Sequence, residues 1–363
     1  MTAEARRSPS TSRLLGLLEI DWPIIQAPMA GVSTPAMAAA VSNAGALGSI
    51  GVGATTPTGA REMIAEVRRL STRSLNVNVF CHAPARRDAA LEAAWIERLR
   101  PELERFGARV PPSLGEIYQS FLADDDLLRV LVEARPKVVS FHFGVPDEGR
   151  ARALRDAGIV LLGSATSLVE ARALVSAGVD AVVAQGYEAG GHRGVFDPDE
   201  RDDRLGTLAL TRILASELNV PVIAAGGIMD GAGIAAALRL GAAAAQLGTA
   251  FIGAPESQAD AGYKAALKGD AAHHTTMTRV ISGRPARCLH NRFTDLGERI
   301  TPAEVPSYPV AYDAGKALHA AAKAKGEFGF GAQWAGQGAP LARALPAADL
   351  VSALVAELLE AER

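Results

Sequence analysis

What most constrains the fold of this chain is a count of short segments. Eight runs rich in apolar and β-branched residues recur at 23–27, 46–50, 75–80, 137–141, 159–163, 180–184, 221–225 and 243–248. Stretches with the apolar spacing of a helix lie between many of them, at 35–43, 58–70, 167–176, 207–217 and 231–240, each opened by a Pro, Ser, Thr or Gly signal. Strand and helix periods that alternate in this way build βα units around a parallel sheet, and eight of them close into a (β/α)8 TIM barrel. The expected fold class is therefore α/β.

The third unit is overlong. Residues 83–135 hold two amphipathic stretches, 86–106 and 113–133, broken by Gly107 and Pro111-Pro112, and either could cover the barrel mouth. After the eighth run the chain continues in helical pattern over 257–267 and 311–325, with a Gly-rich stretch, FGFGAQWAGQGAP, at 328–340. The expected organisation is a barrel over 1–251, carrying the insertion 83–135, and an additional mainly helical lid or small domain over 252–363 that packs on it. The N-terminal stretch has arginines but no uninterrupted apolar segment with a cleavage site, and reads as a frayed tail.

Several partner classes fall away on composition. With 37 basic against 40 acidic residues, no excess charge points to nucleic acid or an anionic membrane. The most apolar later stretch, 241–253, is too short to span a bilayer. Two cysteines, Cys81 and Cys288, cannot build a disulfide framework and match no zinc spacing, which suits a cytoplasmic protein. The pair His273-His274 lacks the remaining ligands of a metal site, so no metal is expected.

In barrels of this kind the active site lies at the C-terminal ends of the strands. The seventh run ends Ala224-Ala-Gly-Gly-Ile228 and enters a helix through Asp230-Gly231, while the eighth ends Gln246-Leu247-Gly248-Thr249. Glycines let backbone N–H groups approach an anion, the helix N-terminus adds positive dipole, and the Thr249 hydroxyl adds a donor. Gly226 and Gly227 would serve a tight turn equally well, but two adjacent loops agree on phosphate. None of the eight runs has an internal Lys for a pyridoxal Schiff base, and no GxGxxG is placed to hold an adenine dinucleotide. Met29, Asn78 and Gln185, at other strand ends, offer a thioether and two amides that suit the mixed N/O edge of an isoalloxazine, so FMN is the expected cofactor. The alternative for Asn78, a buried amide that bonds the backbone, is the weaker reading.

The segments QAPMAGVSTPAMAAAVSNAGALGSIG (26–51), NVNVF (76–80), GYEAGGHRG (186–194), AAGGIMDGAGIAAALRLGAAAAQLGTAF (224–251), TTMTRVISGRPAR (275–287) and YPVAYDAGK (308–316) resemble the nitronate monooxygenases. These FMN-dependent barrel enzymes, formerly called 2-nitropropane dioxygenases, oxidise alkyl nitronates with O2 to a carbonyl compound and nitrite or nitrate. The YxxxYxxxK pattern is similar to that of the class acting on propionate 3-nitronate, for which detoxification is the implied role. The resemblance implies flavin contacts from Met29, Asn78, Gln185, Gly190, Gly227, Gln246, Leu247, Gly248 and Thr249. It implies substrate-pocket roles for His192, Tyr118, Tyr263, Tyr308, Tyr312 and Lys316.

Gly190 and Gly191 allow the loop to fold tightly over a cofactor and hold His192 above its ring. There the imidazole could take the α-proton of a neutral nitroalkane, or serve a nitronate anion as hydrogen-bond donor or cation. Glu188 could orient it or stand in solvent. His142 could line the pocket or fill the barrel top. Tyr308, Tyr312 and Lys316, spaced i, i+4, i+8, would share one helix face as a carboxylate clamp. Cys81 reads as a packing residue, and Cys288 lacks an activating base. The rival readings are an FMN-dependent enoyl-acyl-carrier-protein reductase drawing hydride from NAD(P)H, a sugar-phosphate isomerase or aldolase, and a flavin-binding protein without turnover.

Overall fold

The computed structural model describes residues 8–363. Its main sheet holds eight parallel strands: β1 (Ile24–Gln26), β2 (Gly48–Gly51), β3 (Leu75–Phe80), β4 (Val138–His142), β5 (Val160–Ala165), β6 (Ala181–Gln185), β8 (Val222–Ala225) and β9 (Ala244–Leu247). They neighbour one another in the order β1-β9-β8-β6-β5-β4-β3-β2. The two ends of that order are drawn together by Gln26 N–H donating to the Leu47 carbonyl at 2.9 Å and Leu47 N–H to that of Ile24 at 3.0 Å. The eight expected runs are these eight strands.

Alternation along the strands sorts side chains into two layers. Leu161, Val182 and Ala184 face the outer helices, whereas Leu162, Ala181 and Val183 face the barrel interior. The bottom of that interior is closed by a helix, Pro9–Leu18, whose Leu14, Leu15 and Leu18 pack under Val138, Val160 and Ile223. The frayed tail is thus corrected from Ser8 onward: Ser8 caps the helix by accepting from Thr11 N–H at 3.1 Å, and residues 1–7 lie outside the described residues. Burial of three leucines, at ~2 kcal/mol each, explains why a short segment with weak local signals is ordered.

The insertion also departs from expectation. Its first helix, Ala89–Arg105, does not cover the barrel mouth directly; Trp95, Leu99 and Leu103 pack on Val310, Ala314 and Leu318 of the helix Val310–Ala324. Its second stretch becomes helical only at Asp125–Ala134, where Asp124 accepts from Leu127 N–H at 2.8 Å. The preceding segment, apart from the turn Phe121–Ala123, is irregular and carries Tyr118.

Several elements among the described residues had no counterpart in the expected pattern, the helices Glu148–Asp156 and Arg292–Gly297 among them. The helix Ala347–Ala361 packs Leu350, Leu354 and Leu358 against the helices Gly231–Arg239 and Pro35–Asn43, in the place of the eighth outer helix. A small antiparallel sheet joins β10 (Thr275–Thr278), β11 (Ala286–Leu289) and β7 (Gly191–His192), so the region after the barrel is not purely helical. Strands of two to four residues are too short to show a period. No helix among the described residues is long and apolar enough to cross a membrane.

Candidate active site

A cavity of about 480 Å3 opens at the C-terminal ends of the barrel strands. Every residue that the resemblance assigns to the flavin or the substrate lines it except Leu247. Strand alternation explains that exception: Gln246 and Gly248 reach the cavity, and Leu247 between them packs outward against Ile24 and Met37.

His192 sits on β7, which β11 holds in register through the pairs His192 with Ala286 and Gly191 with Arg287. Its carbonyl accepts from Gln185 Nε2 at 3.0 Å and from His142 Nε2 at 3.2 Å. Gln185 Oε1 accepts from Gly194 N–H at 2.7 Å, so the amide expected at a flavin edge is engaged at both ends in holding the histidine loop. His142 lines the cavity and, as a donor to a carbonyl, carries its proton on Nε2.

The His192 ring lies with Nε2 2.9 Å from Ser282 Oγ, and that hydroxyl is also 3.3 Å from the Arg284 carbonyl. Nδ1 has no protein partner among the described residues. If the serine proton points to Arg284, Nδ1 presents a lone pair; if it points to Nε2, Nδ1 presents an N–H. Burial, with the charges of His142, Arg284 and His82 adding to it, lowers the His192 pKa to about 3. Burial likewise lowers His82 and His142 to about 4. A neutral imidazole of such low basicity is a poor acceptor for an α-proton and a good hydrogen-bonding partner for an anion.

Opposite the histidine stands a wall of phenols. Tyr308 precedes the helix Val310–Ala324, joined to Pro309 by a cis bond, so the expected shared helix face holds only for Tyr312 and Lys316. Tyr308 still reaches the cavity, with its ring 5.4 Å from that of His192 and 6.3 Å from that of Tyr118. Lys316 Nζ lies 4.9 Å over the Tyr118 ring and 5.6 Å over that of Tyr312, and forms no ion pair among the described residues. Its pKa is lowered by burial, offset in part by Asp313. Asp313 also accepts from Gly115 N–H at 2.8 Å, tethering the insertion segment that carries Tyr118. Tyr263 donates its hydroxyl proton to the Trp334 carbonyl, which leaves it only accepting capacity toward a ligand.

At the other end of the cavity the loops after β8 and β9 meet. Gly226 and Gly227 have φ of +126° and +69°, conformations that favour glycine. Thr249 Oγ1 accepts from Gly336 N–H at 3.0 Å, leaving its proton free to donate. The helix beginning at Gly231 is a weaker anion site than its sequence suggests. Asp230 accepts from Gly233 N–H at 2.8 Å and Glu357 from Gly231 N–H at 2.9 Å, so two carboxylates already meet its N-terminus. Asn78 donates Nδ2 to the Ser140 carbonyl and hydroxyl at 3.0 and 2.9 Å; among the described residues its Oδ1 has no partner and the Gln246 amide forms no hydrogen bond.

Other expectations resolve into packing or capping. Glu188 is half-buried and bonds Thr207, not the imidazole: it accepts from Thr207 N–H at 2.8 Å and Thr207 Oγ1 at 2.9 Å, at the start of the helix Thr207–Glu217. A Cβ on Gly190 would sit 2.4 Å from Gly336 N, so crossing of the Gly-rich stretch itself demands glycine there. Cys81 and Cys288 are buried and free; burial raises both thiols, Cys288 to about 12.

Sequence reasoning missed Trp334, whose ring lies 5.1 Å from that of His192, and also Ser282, Phe143 and Arg284. Phe143 could have been found, since it directly follows β4 at a strand end. Trp334 shares its glycine-rich run with Phe328 and Phe330, so its signal is weak. Ser282 and Arg284 carry no local sign of their place.

Comparison with known proteins follows the same lines. The family model described as nitronate monooxygenase matches residues 11–357. A nitronate monooxygenase of Paraburkholderia phytofirmans is 63% identical, over 95% of this chain and 94% of that protein. Among solved structures, nitroalkane oxidase from Streptomyces ansochromogenes is 41% identical with a TM-score of 0.87, covering 96% of this chain and 98% of its own. FabK from Thermotoga maritima is more distant, at 31% identity and a TM-score of 0.74, with 96% of each chain covered. A barrel whose strand ends gather His192, the tyrosines and Lys316, matched over nearly its whole length, makes this chain a member of the nitronate monooxygenase family.

Proposed function

We propose that the protein is an FMN-dependent nitronate monooxygenase that uses O2 to convert alkyl nitronates to the carbonyl compound with release of nitrite or nitrate, and that propionate 3-nitronate is its substrate. One relationship carries the reading. The Tyr312 ring lies 6.1 Å from that of His192 and 5.6 Å from Lys316 Nζ, so one phenol separates a hydrogen-bonding imidazole from an unpaired ammonium. A short anion with a nitronate at one end and a carboxylate at the other suits that spacing.

The cavity fits FMN. Its volume is in the range of cofactor sites, and it combines glycine loops and a free Thr249 proton at one end with the Met29 thioether, the free Asn78 Oδ1 and the Gln246 amide. Bound FMN would supply the electron acceptor for the nitronate. Lys316, with Tyr308 and Tyr312, would hold the distal carboxylate, which fixes the reacting carbon relative to His192. His192 Nδ1–H would donate to a nitronate oxygen, with Ser282 donating to Nε2; an anion in the cavity selects that tautomer. The apolar faces of Phe143, Trp334 and the tyrosines would limit water around the reacting centre. We place the protein in the cytoplasm, on its two free buried thiols, and assign it the removal of toxic nitronates.

The enoyl-acyl-carrier-protein reductase reading is the second choice, since the likeness to FabK is the weaker of the two structural matches. Anaerobic mixing decides between them. Propionate 3-nitronate should bleach the flavin of the purified protein without NAD(P)H, and admission of O2 should restore its colour; bleaching by NADH with no response to any nitronate would overturn the proposal.

A further inference from the structure

Arg284 is 3% exposed, and among the described residues it forms no ion pair with a carboxylate. Its Nη2 donates to the carbonyls of Val195 and Phe196, and its buried Nε has no partner. The comparison with Arg193, equally buried, is informative: Arg193 forks onto Asp202 at 2.8 and 3.0 Å. Burying a cation without a paired carboxylate is unfavourable; Glu170 and Asp197 act on it only without contact, and burial outweighs them, lowering its pKa to about 10. Glu170 accepts from Thr166 N–H at 2.6 Å and Phe196 N–H at 2.8 Å, Asp197 from Asp199 N–H at 2.9 Å, and Arg279 is a like charge paired with Asp199.

Arg284 does not line the cavity. Its guanidinium carbon lies 4.3 Å from the centroid of the Phe143 ring, and Phe143 does line the cavity. That ring in turn lies 4.4 Å from His142, 5.5 Å from Tyr308, 5.6 Å from His192 and 6.4 Å from His82. Phe143 has a φ of +73°, a conformation a bulky side chain rarely adopts, and one that persists where surroundings over-determine it. A fixed cation therefore sits one aromatic layer behind the reacting end of the site. The three histidines nearest the layer are neutral, so none of them competes with it as the source of positive charge.

We propose that Arg284, stacked behind Phe143 without an ion-paired carboxylate, is the positioning residue that makes the cavity select the nitronate anion over the neutral nitroalkane. It acts through the field it sets around His192 and the substrate, not by touching either. The inference rests on the nitronate reading above. That reading is tested on the unaltered protein, which must oxidise a nitronate before any variant is compared.

The test uses Arg284→Met, which removes the charge and keeps an unbranched chain against Phe143, with Arg284→Lys as the charge-retaining partner. Each is assayed with ethyl nitronate and neutral nitroethane from pH 6 to 9, with nitrate as an inert competing anion and with flavin content as a control for the fold. Across about 10 Å at an effective dielectric of 20, loss of a unit charge weakens anion binding roughly tenfold. Arg284→Met should therefore raise KM for ethyl nitronate and Ki for nitrate about tenfold, leave nitroethane within about twofold, and Arg284→Lys should recover most of the loss. Equal loss on both substrates, or no change in nitrate inhibition, would overturn the proposal. If Arg284→Met does not fold, Arg284→Gln, neutral but able to donate to Val195, is read by the same criteria.

Discussion

His192 Nε2 and Ser282 Oγ lie 2.9 Å apart, although ninety residues of chain separate them. The contact ties the imidazole of β7 to the loop before β11, and its single hydroxyl proton decides whether Nδ1 is a donor or an acceptor. Ser282→Ala removes that control. Flavin content should stay unchanged, whereas kcat for a nitronate should fall about tenfold, the scale of one buried hydrogen bond. Ser282→Thr, which keeps the hydroxyl, should recover activity if its methyl is accommodated. Steady-state kinetics of the two variants check this; an unchanged kcat in Ser282→Ala would show that the serine does not orient the ring.

The buried histidines predict acid sensitivity. Each is neutral in the folded protein, with its pKa lowered from 6.5 to about 4 in His82 and His142 and to about 3 in His192. The unfolded chain therefore binds more protons than the folded one between those values. Stability should be level above pH 6.5 and fall as pH drops toward 4, by about 1.4 kcal/mol per pH unit for each histidine involved. His82 is fully buried, with no partner for its ring beyond the Tyr118 backbone among the described residues. His82→Leu should hold or raise the thermal midpoint at pH 7 and make the acid limb shallower; thermal unfolding across pH 4–8 measures both.

Thr249 carries the one side-chain hydroxyl with a free proton identified at the glycine loops, so Thr249→Val should weaken FMN about tenfold. Riboflavin, which lacks the phosphate, should bind both proteins equally. Fluorescence titration of the apoprotein with each flavin separates the phosphate contact from a general disturbance of the loop, which would weaken both.

Lys316→Met should raise KM for propionate 3-nitronate about tenfold or more and leave ethyl nitronate within about twofold, because only the first has a carboxylate for the ammonium to hold. Loss on both substrates alike would assign Lys316 to packing among Tyr118 and Tyr312.

Strand count, parallel order and the end of the barrel that bears the site were legible in the amino-acid sequence, because each rests on a local period or on glycine and proline placed at element ends. Several residues at strand ends followed from them, although alternation turns the Leu247 side chain outward. Tertiary structure decided the rest. The helix Pro9–Leu18 is stable through the barrel floor it covers, β7 exists only because β11 pairs with it, and Tyr118 reaches the cavity from an irregular segment tethered by Asp313. The same holds for what sets the chemistry of His192. Its low basicity comes from burial beside His142, Arg284 and His82, and its orientation from Ser282, groups distant in the chain whose effect depends on distance and dielectric. A sequence records which residues are available at strand ends, but solvent exclusion and charge proximity arise only when the chain closes around them.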